Sequence, residues 1–374
     1  MLAPSSNILP IILSVACFWL IVYILSLRHL EKLRKKGIEV YPLGLFFRTS
    51  KFNEIIYKIG RRYSKYWHIF FDISILIGFF LMVFIIYFLH VNLYSFIYKP
   101  AKAQEMILII PGVTIGWNMI PYLILAIIIA FIVHELAHGI AAASEDIPIV
   151  SSGFAVILFL LAGFVELDEN KLKLLSTRKK LRILSAGSFA NFLVVIITWI
   201  FLLTAMWYQS PRGVLVVNTI KGYPAENHLL PGDIILSIDN HTINTISDLS
   251  RVLSQYKPGE KITIKVLRNN KVVFVELVLG NRGGKAFIGI EISQNYLRPL
   301  PENLILSAEW IYIINFSVAT LNMLPIIMFD GERIIEALIE KIAKEDKLKK
   351  IMQIAISAYF FVLLGANIAF SMVR

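Results

Sequence analysis

The pentapeptide His134-Glu135-Leu136-Ala137-His138 is the segment of this 374-residue chain whose residue types and spacing best suit chemistry. Residues four apart lie on one helix face, so two imidazoles at this spacing reach a single ion. Zinc takes neutral imidazole at about 2.0–2.1 Å. The carboxylate of Glu135 can then hold a metal-activated water and accept its proton as general base. The short pattern recurs by chance in unrelated proteins, and its setting is what distinguishes it here. It lies within the apolar run Ile120–Ile140, where an unpaired charge at a bilayer centre costs about 2.5–3.5 kcal/mol. Three ionisable side chains in such a run call for a partner.

A catalytic zinc takes three protein ligands, so the histidine pair needs another. His29, His68 and His90 sit at the edges of apolar runs, and His228 and His241 lie in a more polar stretch. Asp330 is the better candidate. It follows the apolar run Ile305–Ile327, after Asn322-Met-Leu-Pro325 and before Gly331. Pro325 removes a helical hydrogen bond and Gly331 permits unusual backbone, so the helix is expected to break there and turn the carboxylate inward.

The elements that must position these groups follow from composition. Hydrophobic residues make up 57% of the chain and mean hydropathy is +0.69, which excludes an ordinary soluble protein. Ile11–Leu27, Phe70–Tyr87, Ile120–Ile140, Leu193–Trp207, Ile305–Ile327 and Ile351–Phe370 each approach the roughly 20 residues that cross a bilayer. The first run lacks a basic start and a small-residue cleavage site, so it reads as a retained helix. The only cysteine, Cys17, lies in that run, so no intrachain disulfide is expected.

A net charge of +11 would suggest nucleic acid in a soluble chain. Here the charge concentrates beside the apolar runs, in Arg28–Lys65, Lys171–Arg182 and Arg333–Lys350, and orientation explains it, with no nucleic-acid partner. Placing all three clusters in the cytoplasm puts the N-terminus outside and lets every run cross once. The metal centre then lies near the cytoplasmic side of the cell membrane.

Four parts result. Residues 1–100 hold two spans around a basic connection. Residues 101–208 and 301–374 form the membrane core that carries the candidate ligands. Residues 209–300 form a small extracytoplasmic domain. Gly213–Thr219, Ile234–Asp239, Lys261–Arg268 and Lys271–Leu279 are strand-like, Asn269-Asn270 suits a tight hairpin, and Thr245–Tyr256 has helical spacing. Leu230–Asp239 resembles the turn and strand of a PDZ domain, which would place a groove for a peptide tail between Gly213–Thr219 and Thr245–Tyr256. Phe154–Val165, with Gly153 and Gly163 near its ends, is too short for a span. It is either a re-entrant β-hairpin able to pair with an unwound substrate or a short tilted helix.

Residues 108–374, most densely 131–192 and 315–333, resemble the site-2 protease family of intramembrane metalloproteases. The resemblance implies that His134 and His138 bind zinc, that Glu135 is the base and that Asp330 in Asn322–Gly331 is the third ligand. It also makes Asn322 a candidate for stabilising the tetrahedral intermediate. Ser152–Asp168 and Leu181–Phe192 look like the animal members in particular, and an inserted PDZ domain fits the family. Ser188 stands where many members carry Pro, and Pro325 follows Asn322 by three positions where many bacterial members have Asn-Pro adjacent; neither departure removes a ligand. The expected fold is a polytopic α-helical membrane protein of about six transmembrane helices with an inserted α/β PDZ-like domain. The expected activity is zinc-dependent hydrolysis of the transmembrane segments of protein or peptide substrates within the lipid bilayer. A metal transporter or sensor would need further polar residues along several spans. An inactive scaffold would be marked by a missing ligand or base.

Overall fold

The computed structural model describes residues 8–50, 52–157 and 160–373. In chain order the elements are α1 (Ile8–Ser26), α2 (Leu30–Arg34), β1 (Ile38–Tyr41), β2 (Gly44–Thr49), α3 (Asn53–Arg62), α4 (Ser64–Tyr98), α5 (Ile120–Ser144), β3 (Ile149–Ile157), β4 (Leu160–Leu167), α6 (Glu169–Lys173) and α7 (Thr177–Gln209). They continue with β5 (Pro211–Thr219), β6 (Ile234–Ile238), β7 (His241–Thr242), α8 (Ile246–Leu253), β8 (Lys261–Arg268), β9 (Lys271–Val278), β10 (Gly280–Arg282), β11 (Lys285–Phe287) and β12 (Ile290–Tyr296). The chain closes with α9 (Glu302–Leu321), α10 (Asp330–Ile342) and α11 (Asp346–Val373). Two compact units form: one from the residues up to Trp199 together with Leu306 onward, the other from Ile200–Ile305.

The first unit is polytopic. Among the described residues six helical stretches are long and apolar enough to cross a membrane: Leu13–Arg34, within α1 and α2, and those containing α4, α5, α7, α9 and α11. Small residues bring them close, as expected where lipid supplies no hydrophobic drive between helices. A Cβ on Gly78 of α4 would lie 2.9 Å from Ser185 Cβ of α7, and the Ser74 and Ser185 hydroxyls hydrogen-bond at 2.7 Å. Where α4, α7 and the end of α5 converge, a charge network locks them. Arg182 bonds Asp72 and Glu145, each at 2.7 Å, and Lys179 approaches Glu145 at 3.0 Å. The run Ile305–Ile327 is not one helix: α9 ends at Leu321, and 322–329 form a turn in which Pro325 lies past the helix end.

Phe154–Val165 is strand rather than helix, with residues 158 and 159 outside the described ones. β3 and β4 pair antiparallel from Ile149↔Leu167 to Ile157↔Leu160. The first hundred residues do more than supply two spans, because β1 and β2 extend this hairpin to a four-stranded sheet in the order β1-β2-β3-β4. A Cβ on Gly153 would meet Phe47 O at 1.8 Å, so only glycine allows β2 this close to β3. The Arg48 guanidinium of β2 ties the strands together through Glu39 of β1 (3.2 Å), Ser151 of β3 (2.9 Å) and Glu166 of β4.

The second unit is a sheet in the order β12-β5-β6-β8-β9, with β7 on β6. Val214, Val216, Ile235, Ile262, Ile264 and Val266 alternate into its core, which Leu249 and Val252 of α8 cover. Asn269 and Asn270 have φ of 50° and 61°, the double positive φ of a type I′ hairpin turn. Thr245 and Asp248 form a capping box at the start of α8. The groove differs from expectation. β12 pairs with β5 and takes the sheet edge, so the cleft of about 590 Å³ is lined by Ile246, Leu249 and Leu253 of α8, Phe287 of β11 and Ile290 and Ile292 of β12, and not by β5.

The buried Asp233 carboxylate of this unit is held by Arg268 at 2.7 Å through both oxygens and by the Leu230 amide. Burial pushes its pKa up, but Arg268 and the amide outweigh burial and hold it below the usual value. A depressed folded-state pKa contributes stability that is present above the unfolded value near 3.9 and is lost as pH falls through the folded one. Arg268→Ala leaves the carboxylate buried and unpaired and should cost about 3–5 kcal/mol at neutral pH. Amide exchange of β6 and β8 checks this, and the deficit should shrink as pH falls below 4.

Candidate metal centre

α5 is apolar over its length, and His134 and His138 lie one turn apart on its buried face, 4% and 9% exposed. Their Nε2 atoms are 3.1 Å apart. Asp330 opens α10, and its Oδ2 lies 3.2 Å from His134 Nε2 and 3.3 Å from His138 Nε2. These are the only groups of this kind that cluster tightly enough to hold a metal among the described residues. A tetrahedral zinc with ligand bonds of 2.0–2.1 Å places its ligand atoms roughly 3.3–3.4 Å apart. The three atoms stand within a few tenths of an ångström of that spacing, so the residues fit the ion.

Two surrounding features strengthen the fit. His138 Nδ1 lies 2.7 Å from the Ile183 carbonyl oxygen of α7. A carbonyl only accepts, so Nδ1 carries the proton and Nε2 keeps its lone pair for an ion. His134 Nδ1 is 3.4 Å from the Asn191 amide nitrogen, while the Asn191 Oδ1 is buried without a partner. Turning the amide over pairs that oxygen with His134 Nδ1–H and leaves both histidines in the metal-binding tautomer. A Cβ on Gly187 of α7 would fall 2.4 Å from His138 Nε2 and 2.6 Å from His134 Nε2. Only hydrogen at this position leaves room in front of the ligand atoms.

The Asp330 turn is closed by its own backbone. Gly331 N–H donates to the Asn322 carbonyl at 2.8 Å, and a Cβ on Gly331 would meet Met323 O at 2.2 Å. This closure carries Asn322 beside Asp330 and puts its amide nitrogen 3.4 Å from His134 Nε2. Glu135 points elsewhere from the same helix turn: its Oε2 accepts the Val165 N–H of β4 at 2.8 Å. Of the residues singled out by sequence, the structure brings His134, His138, Asp330 and the Asn322 amide together and ties the Glu135 carboxylate to β4. The sequence reading assigns no role to Gly187, Asn191 or the Ile183 carbonyl. Their segment was legible as a motif, but the contacts depend on how α7 crosses α5, which spacing along one helix does not reveal.

Two histidines and a carboxylate spaced for one ion inside a polytopic helix bundle, with a glutamate next to the first histidine, match the residues that membrane metallohydrolases use. The chain belongs to peptidase family M50, whose model matches residues 122–366. Over 346 residues it is 34% identical to an uncharacterized protein of Methanocaldococcus jannaschii, covering 90% of this chain and 87% of that one. It is 28% identical over 210 residues to the membrane-bound transcription factor site-2 protease homolog of Arabidopsis thaliana, covering 54% of this chain and 40% of the plant protein. The β-rich unit is similar to the PDZ domain of the SdrC-like protein from Listeria innocua, at 27% identity over 21% of this chain and 92% of that one, with a TM-score of 0.21. Family membership makes the chain a zinc metallopeptidase of the site-2 protease type.

Gly187→Ala should abolish metal binding by the purified protein while its helix content is retained, as measured by elemental analysis beside circular dichroism. Asn191→Leu, which removes the acceptor for His134 Nδ1–H, should weaken binding about 10–100-fold.

Proposed function

We propose that the protein is an intramembrane zinc endopeptidase that hydrolyses peptide bonds within or near the transmembrane segments of membrane-protein substrates. His134, His138 and Asp330 would hold the zinc. When bound, the ion supplies Lewis acidity to a scissile carbonyl and acidifies a water. Glu135 takes the proton from that water and returns it to the leaving amine. The Asn322 amide donates toward the carbonyl oxygen as negative charge develops there.

The observation that carries this reading is the hydrogen bond between the base and a sheet edge. β4 ends the four-stranded sheet, β3 occupies its other side, and the Val165 N–H points outward to Glu135. A transmembrane helix hides its carbonyls in internal hydrogen bonds and must unwind before cleavage. An unwound segment that adds to β4 regains backbone partners. If it takes over Val165 N–H, it releases the Glu135 carboxylate for proton transfer beside the ligand triangle. Substrate spans containing Gly, Pro or Asn, which unwind at lower cost, should be preferred.

Reading the basic connections as cytoplasmic supports a metal centre near that face, with residues 209–300 extracytoplasmic. The cleft between α8 and β12 suits an extended peptide tail, because β12 offers a free edge beside an apolar wall. A transporter is disfavoured, since Asn322 lies beside the three-atom cluster and Glu135 follows His134 in sequence, groups that a hydrolase uses and a conduction path does not require.

Wild type and Glu135→Gln, each loaded with zinc, are compared on a panel of single-span proteins, with fragment masses recorded. Wild type should cut within the span, and Glu135→Gln should retain zinc and yield no fragments. Equal cutting by the two proteins would overturn the assignment of the base. Asn322→Ala should lower kcat about 10²–10³-fold, read from initial rates on the best substrate.

A further inference from the structure

The helix α3 lies outside the machinery described above, and two of its faces are built for different neighbours. One face packs against α5, the helix of the histidine pair. A Cβ on Gly60 would meet Ala143 Cβ at 2.5 Å and Ile140 O at 2.7 Å, and one on Gly139 would meet Ile56 Cγ2 at 3.0 Å. Ile56 and Gly60 are buried there. The neighbouring face is an exposed apolar stripe of Phe52, Ile55, Ile59 and Tyr63, at spacings of three and four. Beside this stripe run Lys58, Arg62 and Lys65, all exposed.

The depth of α3 follows from its continuity with α4. A 35-residue helix is about 52 Å long against a hydrocarbon core of about 30 Å. Its ends therefore reach the headgroup zone, and α3 joins the first of them through Tyr63. The basic residues are under-compensated. Lys58 pairs with Glu54 at 2.7 Å, and Arg61 with Asp146 at 3.2 Å. Arg62 lies over the Tyr63 ring, an arrangement that leaves its charge unneutralised. An amphipathic helix with an apolar stripe, a basic flank and a location at the membrane boundary matches an in-plane lipid-binding helix.

We propose that α3 and the start of α4 form a docking surface for anionic lipid headgroups, with Phe52, Ile55, Ile59 and Tyr63 sunk to the level of the acyl boundary and Arg62 and Lys65 on the lipid phosphates. Charge complementarity selects the occupant. An apolar stripe alone would suit any bilayer, whereas the cationic flank beside it favours a negatively charged one. Because α3 rests on α5 through glycine contacts, lipid engaged here bears on the helix that carries His134 and His138.

The test is independent of proteolysis. Ile55→Cys in a Cys17→Ser background carries an environment-sensitive NBD label, and the full-length protein is reconstituted in phosphatidylcholine vesicles with or without phosphatidylglycerol. The label should emit at shorter wavelength and resist dithionite when phosphatidylglycerol is present, and high salt should weaken the protection. Arg62→Gln with Lys65→Gln should shift the protected-to-accessible ratio about thirty-fold toward accessible, from roughly fivefold per basic residue near an anionic surface. Arg62→Glu with Lys65→Glu should shift it further. A label equally protected in both vesicle types, or charge variants without effect, would overturn the headgroup assignment and leave only apolar anchoring. A label exposed to water in both would overturn lipid docking altogether and leave the face for an acidic protein partner.

Discussion

Three electron-rich atoms, two imidazole nitrogens and a carboxylate oxygen, stand within 3.1–3.3 Å of one another inside an apolar bundle. Such a triangle is costly to hold unless a cation sits among the three, because desolvated polar groups need partners and the lone pairs face each other. Much of the surrounding structure serves to keep the three together. α5 supplies two of the atoms at fixed helical spacing. α7 fixes one ring through the Ile183 carbonyl and leaves room with Gly187. The turn after α9 brings in the third through the Gly331–Asn322 closure. Three helices distant in sequence are thereby tied to one point. The charge network of Asp72, Glu145 and Arg182 repeats this coupling of α4, α5 and α7 at another place.

What could be read from the amino-acid order depended on the range of the interaction. Apolar runs report a solvent, so the spanning helices were legible from hydropathy alone. The i, i+4 histidine pair is local to one helix and was equally plain. Asp330 was legible because Pro325 and Gly331 mark a break, although the helix in fact stops at Leu321, before the proline, where the chain turns to reach Asn322 and Gly331. The Asn269-Asn270 turn was legible because two successive positive φ values restrict residue choice.

Interactions between distant segments were hidden. β1 and β2 carry no pattern that announces β3 as their partner more than a hundred residues later, yet Gly153 is shaped by that contact. For Phe154–Val165, composition alone left strand and helix open, and cross-strand pairing decided it. The strand that lines the cleft beside α8 was hidden for the same reason. β12 displaces β5 from the sheet edge by a pairing between residues about seventy-five positions apart, and no local signal in Gly213–Thr219 predicts that it will be covered.

The four-stranded sheet also ties β1 and β2, from the first hundred residues, to the strand that contacts Glu135. A two-stranded hairpin is marginal alone and offers two edges to any passing strand. With β1 and β2 in place, the β3 edge is occupied and Arg48 braces the strands, so β4 alone presents a free edge toward α5. That edge is where Glu135 is held by Val165 N–H. An extended backbone has donors and acceptors to pair along that edge, and a helical one has none to spare. Hydrogen-bond accounting at β4 thus ties the Glu135 carboxylate to the sheet, because Val165 N–H has no strand partner on that side and takes the side chain instead.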